Sequence, residues 1–194
     1  FPKEGKTFIS VNLASTIALS DKKVLLLGLD IRNPKLEEYL DVPKVGITNY
    51  LASKDHKNSA DFLTKVEGFS NFYVMPTGVI PPNPAELLMG KKVGELFKKL
   101  KQEFDYIIVD TAPVSLVTDT LLISKYADAF VYVTRANYLD KRMLTLPEKL
   151  YQEKKLPNMS ILINDTDSTK GYGYGYGYGY GYGVEVEKKS FWKR

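Results

Sequence analysis

The chain has 194 residues, 44% of them hydrophobic and 26% charged, which suits one globular domain with a sizeable core. A net charge of +4 is too small a surplus to point to nucleic acid where no basic face is evident. The absence of cysteine excludes disulfides and thiolate metal sites and accords with a reducing, cytoplasmic setting, and no apolar run approaches the roughly 20 residues of a membrane helix.

In chain order, the first element is a helix over 8–19, with Phe8, Ile9, Leu13 and Ile17 at helical spacing, closed by Asp21-Lys22-Lys23. The continuous apolar run 24–27 is a buried strand. Positions 34–40 and 48–53 read as short helices around a turn at Pro43 and Gly46, and 72–75 as a strand. Asn83-Pro84-Ala85-Glu86 is a helix start, with Asn83 as N-cap, Pro84 at the first helical position and Glu86 at the third. That helix continues, with a break near Gly90, to about Glu103. A strand over 106–109, a helix over 118–126, a strand over 129–133, a helix over 139–154 and a strand over 160–163 follow. Such alternation implies an α/β fold with a mostly parallel sheet covered on both faces, because parallel neighbours require crossover connections.

Periodicity stops beyond Asp165, so the chain divides into a globular domain over 1–165 and a tail over 166–194, expected to be disordered. In the tail Tyr172, Tyr174, Tyr176, Tyr178, Tyr180 and Tyr182 alternate with glycine. Alternating Gly and aromatic residues also occur in merely self-associating segments. If the last strand is parallel to those ending at Asp30 and Asp110, the tail leaves the sheet at its carboxyl edge, where ligands of such sheets bind.

Gly5-Lys6-Thr7 followed by a helix is the end of a G-x-x-x-x-G-K-[ST] phosphate loop. Backbone N–H groups at the helix start cradle phosphates, Lys6 neutralises their oxygens, and the Thr7 hydroxyl ligates Mg²⁺. The loop's first Gly falls one residue before Phe1, and the central strand that precedes such a loop is expected to be missing, leaving a gap in the sheet. Asp110, ending the apolar strand Ile107-Ile108-Val109, is placed as a Walker B carboxylate that holds Mg²⁺ through water. A second apolar strand delivers Asp30 and Arg32 to the same edge.

Taken together, the loop, Asp110 with Pro113, the Gly28-Leu29-Asp30-Ile31-Arg32 segment, Asn83-Pro84-Ala85-Glu86 and the tyrosine tail resemble the bacterial tyrosine kinases of capsule and exopolysaccharide synthesis. Relatives there carry D-x-D-x-R after the second apolar strand, and here Gly28 stands in place of the first Asp. The resemblance implies a P-loop fold of the partition-ATPase type, Mg-ATP as phosphoryl donor, and autophosphorylation of the C-terminal tyrosines. Lys6, Asp30 and Asp110 would then be catalytic. Gly5, Lys6, Thr7, Arg32 and Asn164 would bind the nucleotide, Asn164 at its adenine, with Thr7, Asp30 and Asp110 around Mg²⁺. It further implies a homo-oligomer whose tails enter neighbouring active sites, a membrane-anchored chain-length-regulating region, a tyrosine phosphatase, and a place on the cytoplasmic face of the inner membrane. Asp119 and Asp128 read as helix-start and turn carboxylates, and His56 as a surface loop residue. A partition or septum-positioning ATPase and a non-catalytic ATP-binding scaffold are the competing readings.

Overall fold

A computed structural model of the chain describes residues 1–53 and 58–167. His56 and the tail tyrosines lie outside the described residues. The elements are α1 (Lys6–Ala18), β1 (Val24–Leu29), α2 (Ile47–Ala52), β2 (Thr64–Lys65), β3 (Phe72–Met75), α3 (Pro84–Met89), α4 (Lys91–Glu103), β4 (Tyr106–Thr111), α5 (Asp119–Ile123), β5 (Phe130–Arg135), α6 (Thr145–Gln152) and β6 (Met159–Asn164).

Strand β1 is buried along its whole length and lies between β3 and β4, parallel to both. Its sequence has no polar alternation because both faces are covered, as expected of a central parallel strand. The two faces are nevertheless distinct. Leu25, Leu27 and Leu29 join a core with Val93, Leu96, Phe97 and Leu100, whereas Val24 and Leu26 pack with Ala14, Ala18, Phe72 and Val74. Helix α4 presents its apolar residues at intervals of three and four, the spacing of one helix face. These layers form an α/β fold with a mostly parallel sheet, and among the described strands only the two-residue β2 runs antiparallel.

Strands β5 and β6 form a separate parallel pair. A cleft lined by Phe1, Lys6, Thr111, Ala112, Tyr132 and Val133 runs between β4 and β5. No helix among the described residues is long and apolar enough to cross a membrane.

Several local expectations change. The buried stripe of α1 is Ala14 and Ala18, with Val11 and Ile17 beside it, while Phe8 and Leu13 are exposed. Small side chains let this helix lie close against the sheet, and Phe8 instead meets the Tyr39 ring at 6.4 Å. Residues 34–40 contain only the 3₁₀ turn Leu36–Glu38, and the helix of 139–154 opens with a 3₁₀ turn at Lys141–Leu144. The Asn83 side chain makes no cap hydrogen bond and donates instead to Glu86, although Pro84 does open α3 and the break does fall at Gly90.

The layered core yields a contrast. Leu27 is fully buried on the α4 side, so Leu27→Ala should lower the unfolding free energy by about 2–5 kcal/mol in urea titrations. Phe8→Ala should leave it within about 1 kcal/mol of the parent, because this ring is 46% exposed.

Candidate active site

The loop before α1 turns on two residues with positive φ, Lys3 at 59° and Gly5 at 91°. Gly5 is needed twice over: besides its φ, a Cβ there would stand 2.2 Å from Nδ2 of Asn164. Lys6 begins α1, and its ammonium reaches back across the loop to donate to the Phe1 carbonyl at 2.8 Å. Burial lowers the Lys6 pKa, an effect opposed by the nearby charges of Asp110, Asp30 and Glu4.

One residue on, the Thr7 hydroxyl donates to Oδ2 of Asp110 at 2.8 Å. Asp110 lies near the end of β4, opposite Gly28 in the parallel register with β1. Burial is the main reason its carboxyl is pushed up to about 6, and the Asp30 charge adds to the shift. Hydrogen bonds from Thr7 and Ser10 and the charge of Lys6 oppose it. Asp30, just past the end of β1, accepts from the backbone N–H groups of Arg32 and Asn33 at 3.3 and 3.0 Å through Oδ1. That turn holds its carboxylate at the sheet edge.

Lys6, Thr7, Asp30 and Asp110, separated by up to 104 positions in the chain, are thus brought to one edge. Arg32 reaches the same edge, but its Nε and Nη2 donate to the two carboxylate oxygens of Asp119 at 2.7 and 3.0 Å. Asp119 is 1% exposed and does begin a helix, so it is a buried anchor as well as a helix-start carboxylate. Asn164, the last residue of β6, lies on the loop itself and donates through Nδ2 to the Glu4 carbonyl at 3.0 Å. Asp128 pairs with Lys101 at the surface.

Four contributors are not apparent in the sequence. Ser10 is the most accessible of them, being one helical turn after Thr7. Thr77, beyond the end of β3, donates its hydroxyl to the carbonyls of Gly28 and Asp30 at 3.1 and 3.4 Å. A Cβ at Gly28 would stand 3.0 Å from the Thr77 hydroxyl and 2.8 Å from Leu36. Glu4 and Asp119 are buried acids whose partners come from distant strands and turns, so local pattern carries no signal for them.

The donor set suits a hard divalent cation. One hydroxyl and two carboxylates offer oxygen only, and burial, with the Asp30 charge adding to it, pushes the Asp110 carboxyl up to about 6. Among the described residues no cluster of three or more His, Cys, Asp or Glu is present. Mg²⁺ in nucleotide sites takes one or two carboxylates and completes its shell with water and phosphate, which matches this arrangement.

Comparison with known proteins accords with the geometry. The AAA domain family matches residues 4–144. The tyrosine-protein kinase ptk of Acinetobacter johnsonii is 35% identical over 173 residues, spanning 88% of this chain and 23% of its own length. CpsD, a tyrosine-protein kinase of Streptococcus pneumoniae, is 32% identical over 168 residues, 86% of this chain and 73% of that protein. Among solved structures, the kinase domain of Escherichia coli tyrosine kinase ETK superposes with a TM-score of 0.75 at 31% identity, over 91% of this chain and 69% of that one. The chain therefore spans less than a quarter of one relative and most of another. With the P-loop, the Asp110 strand and this likeness together, the chain belongs to the AAA domain family and, within it, to the bacterial tyrosine-protein kinases.

Proposed function

We propose that this chain is the catalytic part of an ATP-dependent protein-tyrosine kinase that phosphorylates its own C-terminal tyrosines between subunits, in capsule or exopolysaccharide polymerisation and export. The observation that carries the reading is the meeting of Lys6, Thr7, Asp30 and Asp110 at the edge where β6 ends, so the tail begins beside the phosphate loop. Tyr172, Tyr174, Tyr176, Tyr178, Tyr180 and Tyr182 are the proposed acceptors. A membrane-anchored chain-length regulator and a tyrosine phosphatase are the proposed partners, at the cytoplasmic face of the inner membrane.

Bound Mg-ATP would supply the phosphoryl group and the cation's charge. Lys6 would hold phosphate oxygens, and Thr7, Asp30 and Asp110 would hold the metal. A free phenol has a pKa near 10, so removal of its proton calls for a carboxylate. Gly28 cannot supply one; Asp30 is the first choice for that role and Asp110 the second. Each phosphotyrosine adds about −1.5 to −2 charges, so six would add roughly −9 to −12, enough to reverse the chain's +4 and expel the tail from a neighbour's site.

Mixing a Lys6→Met protein that keeps its tail with an active protein truncated after Asp165 tests transfer between subunits. Phosphotyrosine on the Lys6→Met tail, read by mass spectrometry, is the expected outcome. Its absence refutes transfer in trans, and ATP hydrolysis with no phosphotyrosine anywhere would favour a partition-type ATPase.

Asp110 yields a second prediction. The metal-free folded protein keeps the Asp110 proton up to about pH 6, whereas the ordinary carboxyl releases it near 3.8. The folded state therefore binds more protons across that window, and its stability falls as pH rises through it, by about 3 kcal/mol, and is flat above. Asp110→Asn retains an acceptor for Thr7 and removes the buried charge. In urea titrations with chelator, the stability difference between variant and parent should grow in the variant's favour from pH 4 to pH 6, while metal-dependent activity is lost.

A further inference from the structure

Glu4, the loop residue before Gly5, turns its side chain to the end of β5. Its side chain is fully buried. One oxygen, Oε2, accepts from the backbone N–H of Arg135 at the end of β5. The other, Oε1, has no hydrogen-bond partner, and neither does the buried hydroxyl of Tyr132 three residues earlier on β5. An acid held by one donor, with Lys6 near enough to feel its charge but not hydrogen-bonded to it, is a poor choice for stability, since a buried carboxylate usually has a paired cation or several donors. Its position is what it contributes.

Glu4 is engaged from the other side as well. Its backbone carbonyl accepts from Asn164 Nδ2 at 3.0 Å. Asn164 is itself fixed: it is registered against Arg135 in the parallel β5–β6 pair, and its carbonyl accepts from Ala136 N–H at 2.9 Å. The Arg135 guanidinium then closes on Asp165, the next residue of the chain, at 2.8 Å. The Asn164 amide also lies against Gly5, at the place where any Cβ would stand. The loop is therefore gripped by its side chain on β5 and by its main chain on β6.

We propose that Glu4 and Asn164 are positioning residues that hold the phosphate loop in its binding shape by latching it to the ends of β5 and β6. In this arrangement the amide of Asn164 serves the loop and not the nucleobase. The latch also ties the phosphate site to the root of the tail, because Asn164 and Asp165 are the residues from which the tail departs. The proposal rests on the reading that the loop binds nucleotide phosphates.

Titration calorimetry of the intact protein with ADP, GDP and inorganic pyrophosphate in the presence of Mg²⁺ tests the latch. Asn164→Ala and Glu4→Ala should each weaken ADP and pyrophosphate by the same factor, about tenfold, the effect of one well-placed hydrogen bond. The preference for ADP over GDP should be unchanged. Glu4→Gln keeps an acceptor for Arg135 N–H and should recover the affinity that Glu4→Ala loses. In turnover, the loss should fall on the KM for ATP, with kcat changed less than twofold. A selective loss of adenine preference in Asn164→Ala, with pyrophosphate unaffected, would assign that residue to the base and overturn the latch. Parent-like affinity in both alanine variants would overturn it too. If Glu4→Ala does not fold, Asn164→Ala with Glu4→Gln decides the same question. A parent protein that binds none of the three ligands would instead refute the nucleotide reading itself.

Discussion

The 2.8 Å hydrogen bond from Thr7 to Asp110 joins the first turn of α1 to the end of β4 across 103 positions, and the rest of the site is arranged around it. It exists because β1 and β4 pair in parallel along six residues, which sets Asp110 opposite Gly28 and beneath the helix start. α1 can lie low enough to reach it because Ala14 and Ala18 form its buried stripe. A bulkier stripe would lift the helix from the sheet and part Thr7 from Asp110. The packing of one helix thus sets a distance in the site, and the burial that results holds the Asp110 carboxyl at about 6.

The same burial explains how the site can favour a cation. A carboxylate in water has its charge satisfied by solvent, whereas Asp110 is 3% exposed and has Asp30 nearby. Positive charge brought there replaces lost solvation for one carboxylate and relieves repulsion between two. Lys6 supplies part of that charge, but its ammonium is itself partly desolvated and bonded to the Phe1 carbonyl. A divalent cation shared with a bound ligand would offset what Lys6 leaves uncompensated.

Much of the fold was legible because a central parallel sheet writes itself in apolar runs: 72–75 is a strand to the residue, and β1, β4, β5 and β6 each overlap an anticipated strand. Gly5, Lys6 and Thr7 were legible because they are contiguous in the chain and open a helix. What stayed hidden acts at long range. The Arg32–Asp119 pair spans 87 positions and Glu4 to Arg135 spans 131, and neither acid differs in local pattern from an ordinary turn or helix-start residue. The α1 stripe was hidden differently, since periodicity weights Phe8 and Leu13 by size, whereas close approach to the sheet selects alanine. Asn83 carries the right residue type for a cap, yet its amide is bonded to Glu86.

Gly28 shows how a departure from a family pattern can be read physically. In the parallel register it stands directly opposite Asp110, and side chains at paired positions of neighbouring strands project from the same face about 5 Å apart. A carboxylate at 28 would bring a third negative charge beside Asp110 and Asp30, and would raise the Asp110 pKa further in the absence of a cation. The glycine avoids that repulsion, and the space is taken by Thr77 and Leu36, 3.0 and 2.8 Å from where a Cβ would be. Thr77 in turn donates to the carbonyls of Gly28 and Asp30, holding the main chain that carries the remaining carboxylate. The exchange leaves one acid fewer at this edge of the sheet and ties the main chain on either side of Leu29 to Thr77, so the carboxylates that remain there are Asp30 and Asp110.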